Sequence, residues 1–216
     1  MKKLLKKTII FDFDGVILDS NFVKSETFYN LFKKFGIKKA KKVLKYHIKF
    51  MGIPRREKFK YIYKNILKKK INLKQIEELD YEFKEKSLKK ISKLKVNKSL
   101  FNFLIKKYVN YNFYISTGAP KNEIIELLKK KKLFKNFKKV YGPPSKKTQH
   151  INIIKKLNKS DIIFIGDSLE DHKAAKKCKI KFILKKHREN INIFKNKKVF
   201  QISNFKNFEN KINDIF

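Results

Sequence analysis

The sequence predicts an α/β protein: a doubly wound parallel sheet with an all-helical segment inserted after the first strand. Three observations carry that expectation. Short, β-prone apolar runs at residues 8–13 and 161–165 stop at Asp14-Gly15 and Gly166-Asp167, as buried parallel strands do on reaching a loop. From residue 112 onward such runs alternate with stretches of helical periodicity, the pattern of successive strand–helix–strand units. Between residues 21 and 92, by contrast, apolar residues recur only at helical spacing.

The first strand is read at residues 8–13. The helical stretch places Phe22, Phe28, Leu31, Phe32 and Phe35 on one face, then Val43, Leu44, His47, Ile48 and Met51. It continues through Phe59, Ile62, Tyr63, Ile66 and Leu67 and ends with Ile76, Leu79, Phe83, Leu88 and Ile91. Breaks at Gly36, Gly52-Ile53-Pro54 and around Asn72 divide it into about four helices. Strands then follow at 112–115, 139–141, 161–165 and 181–184, with helices at 121–131, 147–157 and 169–178, and residues 198–202 give a weaker strand signal. The expected domains are a core of residues 1–17 and 95–216 and a helical cap of residues 18–94. A parallel sheet of this kind binds ligands at the carboxyl ends of its strands. There is no internal repeat, sustained heptad or long flexible linker.

Composition narrows the function classes. A chain of 216 residues with 42% apolar content can build a core, and no apolar run approaches the ~20 residues of a membrane span. The start, Met1-Lys2-Lys3-Leu4-Leu5-Lys6-Lys7, imitates the basic head of a secretion signal, but Asp12 and Asp14 interrupt the apolar stretch behind it. The single Cys178 has no disulfide partner, which fits a reducing, cytoplasmic setting. Basic residues number 57 against 19 acidic, a net charge of +38. That excess invites a polyanion partner, yet only Arg55, Arg56 and Arg188 are arginine, and lysine is spread over nearly every segment. Nucleic-acid sites favour arginine forks, so the charge reads as a general surface property and specific nucleic-acid binding is not expected. A monomer or small homo-oligomer is.

Against this background the acids stand out. Five of the eight aspartates sit in two strings, Asp12, Asp14 and Asp19 in the first and Asp167 and Asp171 in the second. Asp12 and Asp14 lie two apart, so an extended chain would point both to one face, where one can act as nucleophile or ligand and the other pass a proton. Asp167 brings a third carboxylate to another strand end, and such oxygen-rich sites suit Mg²⁺. Asp171 either braces that site from a helix start or serves as a dipole-facing acid. Ser116-Thr117-Gly118 follows a strand and precedes a helix, offering hydroxyls and backbone N–H groups to an anion, or simply a capped turn. Lys146 and Lys147 open a helix after the 139–141 strand, where a cation aimed at a carboxylate and an incoming phosphate would offset their repulsion. Gly52-Ile53-Pro54-Arg55-Arg56-Glu57-Lys58 is the most site-like segment of the insertion, since two of the three arginines follow its turn and would suit an anionic organic phosphate, but a surface loop is the preferred expectation. His47, His150, His172 and His187 are too scattered to suggest a cluster and read as helix or loop residues. Asp19 reads as a loop or hinge residue.

Taken in order, Asp12-Phe13-Asp14-Gly15-Val16, Ser116, Lys147 and Gly166-Asp167-Ser168-Leu169-Glu170-Asp171 resemble the four motifs of the haloacid dehalogenase-like (HAD) superfamily. The place of the helical insertion resembles the cap of the subgroup that includes phosphoglycolate phosphatase and β-phosphoglucomutase. The resemblance implies a Rossmann-like core and an Mg²⁺-dependent phosphomonoesterase acting on a small phosphorylated metabolite. Asp12 is then the nucleophile that forms an aspartyl-phosphate, and Asp14 the acid/base. Asp12, the Asp14 carbonyl and Asp167 hold the metal, with Asp171 in support; Ser116, Thr117 and Gly118 bind phosphate, and Lys147, or Lys146 beside it, balances charge. Carbon-attacking dehalogenases lack the second aspartate, so Asp14 favours phosphoryl transfer. A sugar-phosphate mutase with the same core is the alternative, as is a nucleic-acid-binding protein with a vestigial core.

Overall fold

The computed structural model describes residues 6–216; the signal-like start at residues 1–5 lies outside them. Its first strand, β1 (Lys7–Phe11), pairs in parallel with β2 (Tyr111–Ser116) on one side and β4 (Ile162–Gly166) on the other. With β3 (Lys139–Tyr141), β5 (Lys181–Lys185) and β6 (Phe200–Ile202) they form a six-stranded parallel sheet in the order β3-β2-β1-β4-β5-β6. The strands are apolar on both faces because both faces are covered. Ile9, Phe11, Phe113, Ile115, Ile163 and Ile165 pack on one side with α5 (Lys98–Lys107), α6 (Lys121–Lys130) and α10 (Phe208–Asn213). On the other, Ile10, Tyr114 and Phe164 meet Ile151 and Ile154 of α7 (Lys147–Leu157) and Ala174 and Ala175 of α8 (Leu169–Lys177). A short α9 (Ile191–Phe194) leads into β6.

The chain turns both ways from β1, which creates the crevice where ligands bind in such sheets. Register fixes what reaches it. Phe11 is level with Ile115 of β2 and Ile165 of β4, so Asp12, Ser116 and Gly166 leave the sheet side by side.

Between β1 and α5 the chain is helical: α1 (Asn21–Phe32), α2 (Ile37–Lys49), α3 (Arg55–Tyr61) and α4 (Leu73–Lys93). α3 runs on into a wider π-type turn over Ile62–Leu67. These helices have a hydrophobic cluster of their own, with Phe28, Phe32, Val43, Phe59, Leu79 and Phe83 at its centre. α4 starts with a reciprocal cap, Asn72 Oδ1 accepting from the Gln75 N–H while the Gln75 side chain accepts from the Asn72 N–H. The four expected helices are present and no strand interrupts them.

Candidate active site

The expected reason for Asp12 and Asp14 sharing a face does not hold, since β1 ends at Phe11 and both acids lie in the following turn. What gathers them is that turn. Phe13 is fully buried, and its carbonyl accepts from the Ile17 N–H at 2.9 Å while the Gly15 N–H donates to Leu18 at 2.7 Å. Both carboxylates then line one cavity with Asp167. Gly15 has φ +74°, and a Cβ there would overlap the Asp167 carboxylate and the Asn21 amide, so glycine is what lets the turn cross directly over the third acid.

Lys147, at the first turn of α7, is the cation among these acids. Its Nζ lies 2.9 Å from Asp12 Oδ2 and donates to Asp171 Oδ1 at 2.5 Å; the neighbouring Lys146 is exposed. Burial opposes the Lys147 charge, but Asp12 and Asp171 outweigh it and hold the ammonium above its usual range. Asp12, only 3% exposed, titrates well above an ordinary carboxyl. Burial is the main cause; Lys147 pulls the other way, while Asp171, Asp167 and Asp14 add repulsion. Asp171 has both oxygens engaged, one by Lys147 and the other by the Ser168 N–H and hydroxyl. It therefore caps α8 and positions Lys147 at once.

Asp167 is held from three sides. Asn21 Nδ2 donates to its Oδ2 at 2.6 Å, His187 Nε2 lies 2.9 Å from the same oxygen, and Asn190 Nδ2 donates to its carbonyl at 2.9 Å. Asp12, Asp167 and Asp171 each offer an oxygen within 4.8 Å of the others.

On the β2 side, Ser116 Oγ lies 2.9 Å from His150 Nδ1, and His150 Nε2 is 3.2 Å from the Gly142 carbonyl. A carbonyl only accepts, so Nε2 carries the proton and Ser116 donates to Nδ1. Burial pushes His150 down to about 4, which keeps the ring neutral. The Ser116 hydroxyl is thus turned to α7, whereas Thr117 Oγ1 accepts from the Ala119 N–H at 3.1 Å and has no acceptor for its own hydrogen among the described residues. Thr117 and Gly118 line the clefts between core and insertion. A Cβ on Gly118 would overlap the Gly52 carbonyl, and one on Gly52 the Ser168 hydroxyl, so the 50–54 turn rests directly on the core loops.

The insertion supplies the facing wall with Lys24, Phe28, His47, Met51, Ile53, Arg55, Lys58 and Phe83. Lys24 pairs with Asp14, which also accepts from Ser20 Oγ at 2.6 Å. Arg55 is not in a surface loop: it is 9% exposed, forks onto Glu123 of α6 at 2.6 and 2.9 Å, and pairs with Asp80 of α4. Burial disfavours its charge, but Glu123 and Asp80 hold it above its ordinary range. Arg56 remains exposed. His150, His187 and Asn21 belong to the site although no local motif marks them; each arrives through sheet or helix packing from a distant segment.

The profile of the haloacid dehalogenase-like hydrolases matches residues 9–185. The chain belongs to this family. No curated protein sequence matches it. Among solved structures it is similar to a Clostridium acetobutylicum protein described as a predicted phosphatase, at TM-score 0.74, 19% identity and 97% and 99% coverage of the two chains. A β-phosphoglucomutase from Clostridium difficile aligns at TM-score 0.70 and 19% identity over 96% and 97%. A HAD hydrolase from Bacillus subtilis bound to magnesium aligns at 0.68 and 16% over 97% and 99%. At these identities the likeness is one of fold. Among the described residues no helix is long and apolar enough to cross a membrane.

Proposed function

We propose that this hydrolase is an Mg²⁺-dependent phosphomonoesterase for a small phosphorylated metabolite, working through a phosphorylated Asp12. The observation that carries the reading is Asp12 itself, buried at a strand end with its Oδ2 2.9 Å from Lys147 and with Asp14 in the same cavity. An Asp12 oxygen attacks phosphorus as the bond to the substrate's ester oxygen breaks, and Asp14 protonates the departing alkoxide. Asp14 then takes a proton from the water that attacks phosphorus, the Asp12–phosphoryl bond breaks, and inorganic phosphate leaves. The Lys147 ammonium offsets charge between carboxylate and phosphoryl group. The Thr117 hydroxyl and the Gly118 backbone are placed to take phosphoryl oxygens, while Ser116 and His150 stiffen the strand end beneath them.

The donor set fits Mg²⁺: buried, all-oxygen and crowded enough with acids to raise Asp12. Asp12 and Asp167 would hold the ion with the Asp14 carbonyl, since Asp171 is committed to Lys147 and Ser168. Bound there, Mg²⁺ supplies neutralising charge beside the phosphoryl group. The magnesium-bound relative from Bacillus subtilis supports this choice. We assign residues 1–17 and 95–216 to the catalytic core and 18–94 to a cap, and place the enzyme in the cytoplasm, in keeping with its one buried, unpaired cysteine.

The test is a screen of phosphorylated acids, sugars and nucleotides with and without Mg²⁺, on the parent protein and Asp12→Asn. Hydrolysis that needs Mg²⁺ and disappears in the variant is the expected result. Full activity of the variant would remove Asp12 as nucleophile.

A further inference from the structure

Of the three cations that line this cavity, two have acidic partners: Lys24 has Asp14, and Arg55 has Asp80 and Glu123. Lys147, behind Asp12, has Asp12 and Asp171. Lys58 of α3 is 3% exposed, lines the same cavity as Asp12, Asp14 and Asp167, and has no carboxylate partner among the described residues. Its Nζ donates to His47 Nδ1 at 3.0 Å and sits 5.5 Å from the Phe28 ring centroid. His47 is itself buried and stacked on Phe28 at 4.3 Å. An ammonium has three donors, and this contact uses one. Buried lysines are normally paired; here the contacts of the ammonium are His47 and the Phe28 ring, and Met51, Ile53 and Phe83 line the same cavity.

We propose that Lys58, oriented by His47, is a specificity-determining residue: it takes a second anionic group carried on the organic part of a compact phosphomonoester. The reasoning is spatial. With the phosphoryl group against the core acids, Lys147 and Thr117, the ester substituent faces the insertion wall, where Lys58 is the cation left unpaired. The other polar groups of that wall are already engaged, Lys24 by Asp14, Arg55 by Asp80 and Glu123 and His47 by Lys58, and the rest is apolar, so it offers few free partners to a sugar or an uncharged polar chain. The cavity as a whole offers about 50 Å³, room for only a few atoms, which suits a compact ester. Titration agrees with the geometry: burial, then Lys24, pushes Lys58 down to about 7 against the pull of Asp14 and Asp167, and an anion beside it would restore the charge. Burial and Lys58 hold His47 well below its usual range, as a neutral acceptor.

The inference takes the word substrate from the phosphatase reading, but its test does not depend on turnover. Binding of three probes to the Asp12→Asn protein with Mg²⁺ is measured by calorimetry: 2-carboxyethyl phosphate, ethane-1,2-diol bisphosphate and uncharged propyl phosphate. At least one anionic probe should bind roughly tenfold or more tighter than propyl phosphate, as a charge-assisted hydrogen bond provides. Which of the two is preferred tells carboxylate from phosphate. In Asp12→Asn/Lys58→Met the preference should fall to about twofold or less, with a cooperative melt no lower than its parent's because an isosteric apolar chain replaces an unpaired buried ammonium. Should that variant fold poorly, Lys58→Gln is read on the same ratio. Equal binding of propyl phosphate, a preference that survives both substitutions, or no binding of any probe overturns the proposal. Failure of the parent protein to hydrolyse the probes that its Asp12→Asn form binds selectively would instead count against the phosphatase reading alone.

Discussion

The two walls of the cavity are built on opposite principles. On the core wall the charges are tightly partnered: Asp12 and Asp171 converge on Lys147, Asn21, His187 and Asn190 hold Asp167, and Ser168 holds Asp171. On the insertion wall Lys58 lies among aromatic and aliphatic side chains with one histidine contact. The first arrangement fixes reacting groups before any ligand arrives, which is what electrostatic preorganisation requires. The second keeps an unspent interaction, as a surface that discriminates among ligands requires. On the proposed reading, chemistry and selectivity are divided between the sheet and the helices.

That separation can be broken most severely at Asp12. Asp12→Asn should reduce hydrolysis on the order of 10⁴-fold and leave the fold intact, measured by phosphate release and circular dichroism. The same variant carries a pH signature. Because the native Asp12 pKa is raised above its unfolded value, the folded chain keeps a proton that the unfolded chain has already lost. This contribution favours folding at low pH and is lost as pH rises through the native value. In metal-free protein, urea unfolding should show the variant gaining on the parent as pH rises above the ordinary carboxyl range, and saturating Mg²⁺ should shrink that gain.

Lys147→Met comes next. It should cost about 10² to 10³ in kcat, and about 3–5 kcal/mol of stability because Asp12 and Asp171 lose their counter-ion, read from parallel kinetics and denaturant melts. Gly118→Ala tests the contact between the walls. Its methyl would push the Gly52 carbonyl away, so kcat/KM should fall about tenfold and stability by about 1–3 kcal/mol. Arg55→Met should have the mildest kinetic effect, a KM increase of a few fold, with about 2 kcal/mol lost as Glu123 and Asp80 are left unpaired. A loss of kcat as large as that at Lys147 would show that Arg55 serves the core wall after all.

The sheet and the core wall were largely legible because strands buried on two faces appear as apolar runs, and the β1 and β4 runs stop at Asp12 and Asp167, the acids that line the cavity. The four insertion helices were legible from their own apolar spacing. α5 was not marked, since lysines and a short Leu100–Leu104 apolar stretch blur its periodicity. The short edge strand β6 was only weakly marked, with a single buried residue, Ile202. What escaped local reading at the site depends on partners far away in sequence. Arg55 looks like a turn residue until Asp80 and Glu123 meet it. His150 and His187 looked unrelated, although one supports Ser116 and the other holds Asp167. The hydroxyl of Ser116 was expected to face an anion, but Ser116 shares its strand face with Tyr114, and that face packs on α7.

The most direct test of the central claim is to locate phosphate on the protein. Acid-quenching the enzyme with Mg²⁺ and a turned-over substrate, then mapping peptides by mass spectrometry, should place a transient, acid-stable phosphoryl group on Asp12, which is absent from Asp12→Asn. Rapid hydrolysis with phosphate on no residue, or on a residue other than Asp12, would contradict the account.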